Sequence, residues 1–245
     1  MWYPSSKREL EEFIDNSFKQ KLNLKLIPKK INGLIVPHAG YEYSGLIAGK
    51  AFSLLKNKKI NKAIILGPSH YISTNQALTT NKLITTPLGK IKTFNITAQA
   101  ANQHFSQFPT ANLDSEHSIN NQIPFLQKLG IKQIMPLMIG NINNQAKEIA
   151  EKIAKIPALY IFSTDLSHFL TYEQALKEDK QTINIIENLD INNFNKINAC
   201  GIYPLMILFE LCKLLKTKPH LIEYKNSGDI TGDKSSVVGY SSFWF

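Results

Sequence analysis

Three histidines follow closely on apolar runs that have the composition of buried strands. They are His38, His70 and His168, and short turn-like sequences such as Gly67-Pro-Ser69 lead into them. In open α/β sheets, ligands bind beyond the carboxyl ends of the strands, because loops from neighbouring strands converge there. We therefore expect the three imidazoles to converge at one edge of a sheet.

The separation of His38 and His70 matches about one strand–helix–strand unit, which would bring both to the same edge of a parallel sheet. Two neutral imidazoles on rigid strand ends are a common start of a mononuclear site for iron, copper, zinc or nickel. We predict that their strands are neighbours and that the ligating nitrogens lie within about 5 Å, because each would bind one ion at about 2.1 Å. Spacing leaves the third ligand open among Asp165, Glu116, His117, His168 and Cys200.

These residue types also have a purely structural interpretation. A single histidine is more often a hydrogen-bonded part of the fold than a ligand, and a lone cysteine is usually a small buried apolar residue. Cys212, in an apolar run, is predicted to lie in the core, and His104 and His220 are assigned no role. Convergence of several such residues distinguishes a shared site from isolated positions.

Strand-like and helix-like runs alternate from end to end, which is typical of an α/β layered sheet. Predicted strands cover 33–37, 63–67, 133–139, 158–163, 220–224 and 237–245. Predicted helices cover 44–55, 122–129, 145–154, 171–189 and 202–215. The last two strands are expected to form a hairpin-like pair around a polar turn at 226–236. We predict one domain, 1–245, with a mostly parallel or mixed sheet and helices on both faces.

Length and composition favour a cytoplasmic protein with one core. A chain of 245 residues is long enough for one core, and its apolar runs are far shorter than the roughly 20 residues of a membrane-spanning helix. The N-terminal residues lack the pattern of a signal peptide, and the two cysteines are expected to be free thiols. The net charge of +9 comes from scattered lysines, so we expect neither a nucleic-acid nor a membrane partner.

Seven short motifs occur in a specific order along the chain. They are Pro37-His-Ala-Gly-Tyr-Glu-Tyr-Ser-Gly45, Leu66-Gly-Pro-Ser-His70, Glu116-His-Ser118, Gln122-Ile-Pro-Phe-Leu126, Ser163-Thr-Asp-Leu-Ser-His-Phe169, Ala199-Cys-Gly201 and Asn226-Ser-Gly-Asp-Ile-Thr-Gly-Asp233. In order and approximate spacing they resemble the motifs of the Memo-like family, beginning with Trp2-Tyr-Pro4. The resemblance covers nearly the whole chain.

The resemblance implies a fold similar to the catalytic subunit of class III extradiol dioxygenases, which use non-haem Fe(II). It also implies a metal site on His38, His70 and Cys200, with Asp165 and His168 in the same cleft. A cysteine in place of the usual carboxylate makes the donor set softer. We therefore expect one transition-metal ion, Fe(II) or copper in the first place and zinc as the further candidate.

Other residues are candidates for the cleft or for ligand binding: Tyr41, Ser69, Glu116, His117, Asp229 and Asp233. Tyr41 could instead pack on the adjoining helix, Glu116 could favour a helix N-terminus, and the two aspartates could form turns. Asn120 and Asn121 depart from the family pattern, which often has an acidic residue at the first position. We expect that change to affect a cleft wall or a partner surface, not the ligands.

Two classes of function remain open. The first is a metal-dependent, dioxygenase-like enzyme in which His168 acts as a general acid/base on a small molecule and Asp165 orients it. The second is a non-catalytic binding or adaptor module that takes a small molecule or a peptide in the cleft, because one fold serves unrelated functions. The resemblance adds AMMECR-type and radical SAM proteins as expected pathway partners of an accessory protein.

Overall fold

The apolar runs form one mixed sheet through the centre of the molecule. A computed structural model describes residues 2–22, 29–96 and 107–245, so His104 lies outside the described residues. Within these ranges the strands are β1 (Gly33–Val36), β2 (Lys62–Pro68), β3 (Ala77–Leu78), β4 (Ile84–Thr86), β5 (Gly89–Thr93), β6 (Gln133–Ile139), β7 (Leu159–Ser163), β8 (His168–Leu170), β9 (His220–Asn226) and β10 (Val237–Trp244).

The strand order is β4-β5-β6-β2-β7-β1-β10-β8, with β3 also paired to β6 and β9 to β10. The central strands from β5 to β1 are parallel, and the outer pairings are antiparallel. This confirms a mixed α/β sheet. The prediction that β1 and β2 are neighbours is wrong, because β7 lies between them and pairs with both. Two strands joined by a crossover connection can have a third strand between them that comes later in the chain. An apolar run in the sequence therefore identifies a strand but not its position in the sheet.

The described α-helices are α1 (Lys7–Phe18), α2 (Leu46–Ser53), α3 (His117–Asn120), α4 (Ile123–Lys128), α5 (Ala146–Ala154), α6 (Tyr172–Asn188), α7 (Ile202–Leu215) and α8 (Gly228–Thr231). A π-helical turn, Tyr41–Gly45, leads into α2. Such turns occur frequently at functional sites, and this one begins three residues after His38.

The two faces of the sheet bury separate halves of the core, because successive side chains of a strand point to opposite faces. On one face, Ile35 and Ile64 pack with the apolar sides of α5, α6 and α7. On the other, Leu34 and Ile65 pack with α1, α2 and α4, including Phe52 of α2. A strand covered on both faces is apolar at every position, which is why the central strands are continuous apolar runs in the sequence.

Most predicted elements are confirmed to within a few residues, and 133–139 and 202–215 agree in both bounds with β6 and α7. The hairpin-like pair is confirmed as antiparallel β9 and β10, and α8 lies in the connection. The predicted core position of Cys212 is also confirmed. β3, β4 and β8 were not predicted, because they are too short for a clear periodic pattern. β5 was not predicted because Ile91 is its only large apolar residue, so it does not form an apolar run. None of the helices in the described ranges is long and apolar enough to cross a membrane.

Candidate metal centre

His38 lies in the loop after β1 and is almost completely enclosed. Its backbone N–H donates to Asp165 Oδ1 at 2.7 Å. Its ring Nδ1 is 3.0 Å from Ser163 Oγ, and its Nε2 is 3.2 Å from Cys200 Sγ. Burial, together with the neighbouring His70, lowers the pKa of His38 to about 3. The imidazole is therefore neutral at neutral pH, which is the form that binds metal ions.

His70 follows β2 and is oriented by the buried carboxylate of Glu116, at the start of α3. The backbone N–H of His70 donates to Glu116 Oε2 at 2.9 Å, and its Nδ1 donates to Oε1 at 2.8 Å. Burial alone would raise the pKa of Glu116, but hydrogen bonds from His70 and Ser118 lower it to about 2. Because an ionised carboxylate only accepts, His70 holds its proton on Nδ1 and leaves a free lone pair on Nε2.

Cys200 lies just before α7, and its Sγ accepts the backbone N–H of Asp165 at 3.2 Å. The adjacent Gly201 allows this approach, since a Cβ there would overlap the Thr164 side chain. Burial, and then the charge of Asp165, raises the pKa of the Cys200 thiol to about 12. The protonated thiol, with its Sγ 3.2 Å from Nε2 of His38, can donate to that nitrogen when the His38 proton is on Nδ1.

The three predicted ligands come together at the carboxyl edge of the parallel strands. One donor atom from each of His38, His70 and Cys200 lies within 4.8 Å of the other two. This agrees with the separation expected for ligands of one ion, although β1 and β2 are not neighbours. The two imidazole centroids are 5.2 Å apart, with the rings nearly perpendicular at 82°. Two imidazoles with their Nδ1 atoms held, and one sulfur, are a donor set that fits a transition metal.

His117 lies beside the centre and is covered by aromatic rings. Trp2 stacks on it, with ring centroids 4.0 Å apart, and the Tyr71 hydroxyl is 3.2 Å from its Nδ1. Its donor atom also groups with those of His70 and Glu116. Because the Glu116 carboxylate already accepts hydrogen bonds from His70, we interpret the group of His70, Glu116 and His117 as one that orients a ligand of the first group. Burial, followed by the nearby His38, lowers the pKa of His117 to about 4.

His168 begins β8, and its ring is held by Leu166. Its Nδ1 lies 2.8 Å from the Leu166 carbonyl oxygen. A carbonyl only accepts, so Nδ1 carries the proton and Nε2 is the basic nitrogen of the neutral ring. Asp165 was expected to orient His168, but its carboxylate accepts instead from the backbone N–H of His38. Burial raises the pKa of Asp165.

The remaining candidates have hydrogen bonds to other parts of the fold. Tyr41 is buried against Phe125, and its hydroxyl donates to the Asn121 carbonyl at 2.8 Å. Ser69 Oγ donates to the Ile72 carbonyl at 2.6 Å. Asp229 accepts from the Tyr172 hydroxyl and the Asn226 N–H, and Asp233 accepts from Ser235. The two aspartates therefore have the turn-forming contacts of the structural alternative.

Sequence reasoning missed two polar residues behind the ligands, Ser163 and Gln122, and singled out Asn121 only as a departure from the family pattern. Gln122 Nε2 donates to Ser163 Oγ and to the Pro37 carbonyl, each at 3.0 Å. Asn121 Nδ2 donates to the His38 carbonyl at 2.7 Å. Ser163 and Gln122 lie within recognised motifs, so a signal existed, but nothing in their residue types indicated a contact with His38.

Comparison with known proteins agrees with the motifs. The Memo-like protein family matches residues 1–244. A MEMO1 family protein of Methanobrevibacter smithii is 36% identical over 271 residues, covering 99% of this chain and 95% of the relative. MEMO1 family proteins of Sulfurisphaera tokodaii and Nitrosopumilus maritimus are 34% and 31% identical, and each alignment covers 100% of this chain and 96% of the relative. The chain belongs to the Memo-like family.

Proposed function

We propose that the protein binds one transition-metal ion through His38, His70 and Cys200, and uses it for redox or oxygenase chemistry on a small molecule. The observation that supports this most is the convergence of the three donor atoms within 4.8 Å. Hydrogen bonds to both Nδ1 atoms leave the Nε2 atoms free to bind.

The donor set favours iron(II) or copper, with zinc as the further candidate. Imidazole suits all three metals, and a thiolate in place of a carboxylate shifts preference away from hard, oxygen-binding cations such as Mg²⁺. Each of these ions would supply Lewis acidity when bound, and iron or copper would also supply one-electron chemistry, which zinc lacks. Cys200 must lose its proton to bind, so loading releases a proton from the Cys200–His38 contact.

The chain's own residues would orient the centre and move a proton. Ser163 and Glu116 fix the two imidazoles through Nδ1. His168 presents Nε2 as a bare nitrogen, because its Nδ1 proton is held by Leu166. We assign His168 as the general acid/base for a small molecule in the cleft, with Asp165 holding the His38 loop in place.

Metal content tests the ligand assignment. Protein purified without oxygen should contain about one equivalent of iron or copper, and replacing His38, His70 or Cys200 by Ala should lower affinity at least tenfold. Cys212→Ala is the matched control for Cys200→Ala, because Cys212 is a buried thiol in the core and should leave metal content unchanged. Full metal retention in all three ligand variants would falsify the assignment.

Oxygen consumption tests the catalytic part. The metal-loaded protein is offered a panel of catechols and other small oxidisable compounds under air, beside His168→Gln. We expect His168→Gln to keep its metal and to lose about 10² to 10⁴ in rate, as removal of a general acid/base does. Uptake that is absent in both proteins, or equal in both, contradicts an enzyme for this class of substrate.

A binding module is the second candidate, and exposed aromatic side chains favour it. Trp2 is 43% exposed, Tyr71 56% and Phe169, next to His168, 78%. Exposed rings of this kind commonly contact peptides or flat ligands. For a module without turnover, Trp2→Ala and Tyr71→Ala should weaken ligand binding, while His168→Gln has no rate to lower.

A further inference from the structure

Asp179 is a buried carboxylate to which the proposed chemistry gives no role. It lies on α6 and has no exposed surface. Its Oδ1 accepts the Ser167 backbone N–H at 2.9 Å, and its Oδ2 accepts the Tyr224 hydroxyl at 2.8 Å. A buried carboxylate is costly unless it is hydrogen-bonded, and one of its two donors here, Ser167, directly precedes His168.

The same turn is held from its other side by β10. Leu166 N–H donates to the Gly239 carbonyl at 2.8 Å, and Gly239 N–H donates to the Ser167 carbonyl at 2.9 Å. Glycine is required at 239, because a Cβ there would overlap the Asp179 carboxylate. Residues 166–168 are therefore fixed between the carboxylate of α6 and the backbone of β10.

Fixing this turn determines which nitrogen of His168 is basic. The Leu166 carbonyl accepts from Nδ1 of His168 only while residues 166–168 keep their present backbone conformation. If the turn relaxed, the ring would be free to place its proton on Nε2 and to rotate. A smaller fraction of His168 would then have the bare Nε2 that the proposed base requires.

We propose that Asp179, supported by Tyr224, is a positioning residue that keeps His168 in the Nδ1–H form with Nε2 bare. The catalytic consequence rests on the proposed function, but the effect on the tautomer does not. A purely structural Asp179 would change stability without selecting between the two nitrogens of His168.

The test measures the ring nitrogens of His168 by ¹⁵N NMR in metal-free protein, at a pH where the ring is neutral, with His168→Gln used for assignment. Asp179→Val removes the acceptor for Ser167, whereas Asp179→Asn keeps an acceptor oxygen. Thr182→Val is the matched control, because Thr182 is another buried polar residue of α6 and accepts the Asn198 N–H at 3.0 Å.

We expect wild type, Asp179→Asn and Thr182→Val to show the Nδ1–H form, and Asp179→Val to lose it in favour of Nε2–H. If Asp179→Val does not fold, Tyr224→Phe, which removes only a hydroxyl, should show the Nε2–H form growing in. Retention of Nδ1–H in the folded Asp179→Val, or in Tyr224→Phe in its place, overturns the proposal. So does loss of Nδ1–H in Asp179→Asn or in Thr182→Val.

The oxygen assay separates this proposal from the proposed function. With active protein, Asp179→Val should lose at least about tenfold in rate at unchanged metal content, because less of the base is in its active form. If the wild type consumes no oxygen, the enzyme proposal fails while the NMR result still decides the role of Asp179.

Discussion

Glu116 is the residue whose contribution to the centre is most directly measurable. Its carboxylate accepts from both the backbone and the ring of His70. We predict that Glu116→Gln lowers metal affinity by about 10- to 100-fold without removing a ligand, because the amide orients the imidazole less firmly and makes it less basic. Anaerobic competition against a chromophoric chelator measures the change.

Glu187→Gln is a suitable control for that prediction. Glu187 also accepts a backbone N–H from another element, that of Leu221 at 2.9 Å, but none of its described contacts is with the centre. Its substitution should leave the affinity as in wild type. Equal metal affinities for wild type and Glu116→Gln would show that metal binding by His70 does not depend on the Glu116 carboxylate.

At the scale of residues, the sequence was informative where chemistry depends on residue type. His38, His70 and Cys200 have side chains with metal-binding atoms, and the family resemblance selected Cys200 among several candidates. Ser163 and Gln122 are common polar residues whose role depends on which atom faces His38. Only the folded arrangement contains that information.

Close packing of the segment before α7 onto the loop after β7 positions Cys200. Gly201 N–H donates to Thr164 Oγ1 at 2.9 Å, and a side chain at 201 would collide with Thr164. We predict that Gly201→Ala lowers metal affinity by roughly tenfold or more, although residue 201 offers no ligand, because it displaces the neighbouring sulfur. Metal titration of the purified variant checks this.

Gly40→Ala serves as the control for that variant. Gly40 is also close to a ligand in the chain, but a Cβ there would come no nearer than 3.6 Å to its surroundings, which is ordinary contact. It should therefore bind metal like the wild type. If both alanine variants keep wild-type affinity, the packing of 201 on Thr164 does not position Cys200.

At the scale of elements, the sequence predicted which segments form strands better than how they pair. Both faces of the central strands are buried, so their apolar runs stand out. β7 comes later in the chain than β1 and β2 but lies between them in the sheet, and no local sequence pattern indicates this order. The donor atoms of His38 and His70 still lie close together, because all three strands end at the same edge.

At the scale of the molecule, the buried histidines should contribute less to stability in mild acid than at neutral pH. The pKa of His38 is lowered to about 3 and that of His117 to about 4, whereas in the unfolded chain both are near the usual 6.5. As the pH falls below 6.5 the unfolded state binds protons at these two positions that the folded state does not, so the contribution of the two histidines to stability decreases. At pH 5 the loss is at most roughly 2 kcal/mol for each histidine.

Urea unfolding of metal-free protein with a chelator present, between pH 8 and pH 5, checks this expectation. His117→Gln should show a smaller loss of stability between pH 6.5 and pH 5 than wild type. At pH 8 the two proteins should show the same slope of stability against pH, because the imidazoles are neutral in both states. Identical slopes below pH 6.5 would contradict the assigned shift at His117. Glu116, with its pKa lowered to about 2, adds a loss in the same direction only below about pH 4.5.

The position of β1 in the sheet sets an order of events during synthesis. β1, which precedes His38, pairs on one side with β7 and on the other with β10, so Leu34 lies opposite Ile161 and Trp244. A ribosome delivers β10 long after β1, and pairings between such distant segments form slowly. The nascent chain therefore holds His38 on an incomplete sheet until β10 has been made, and loading of the centre is expected to follow completion of the sheet.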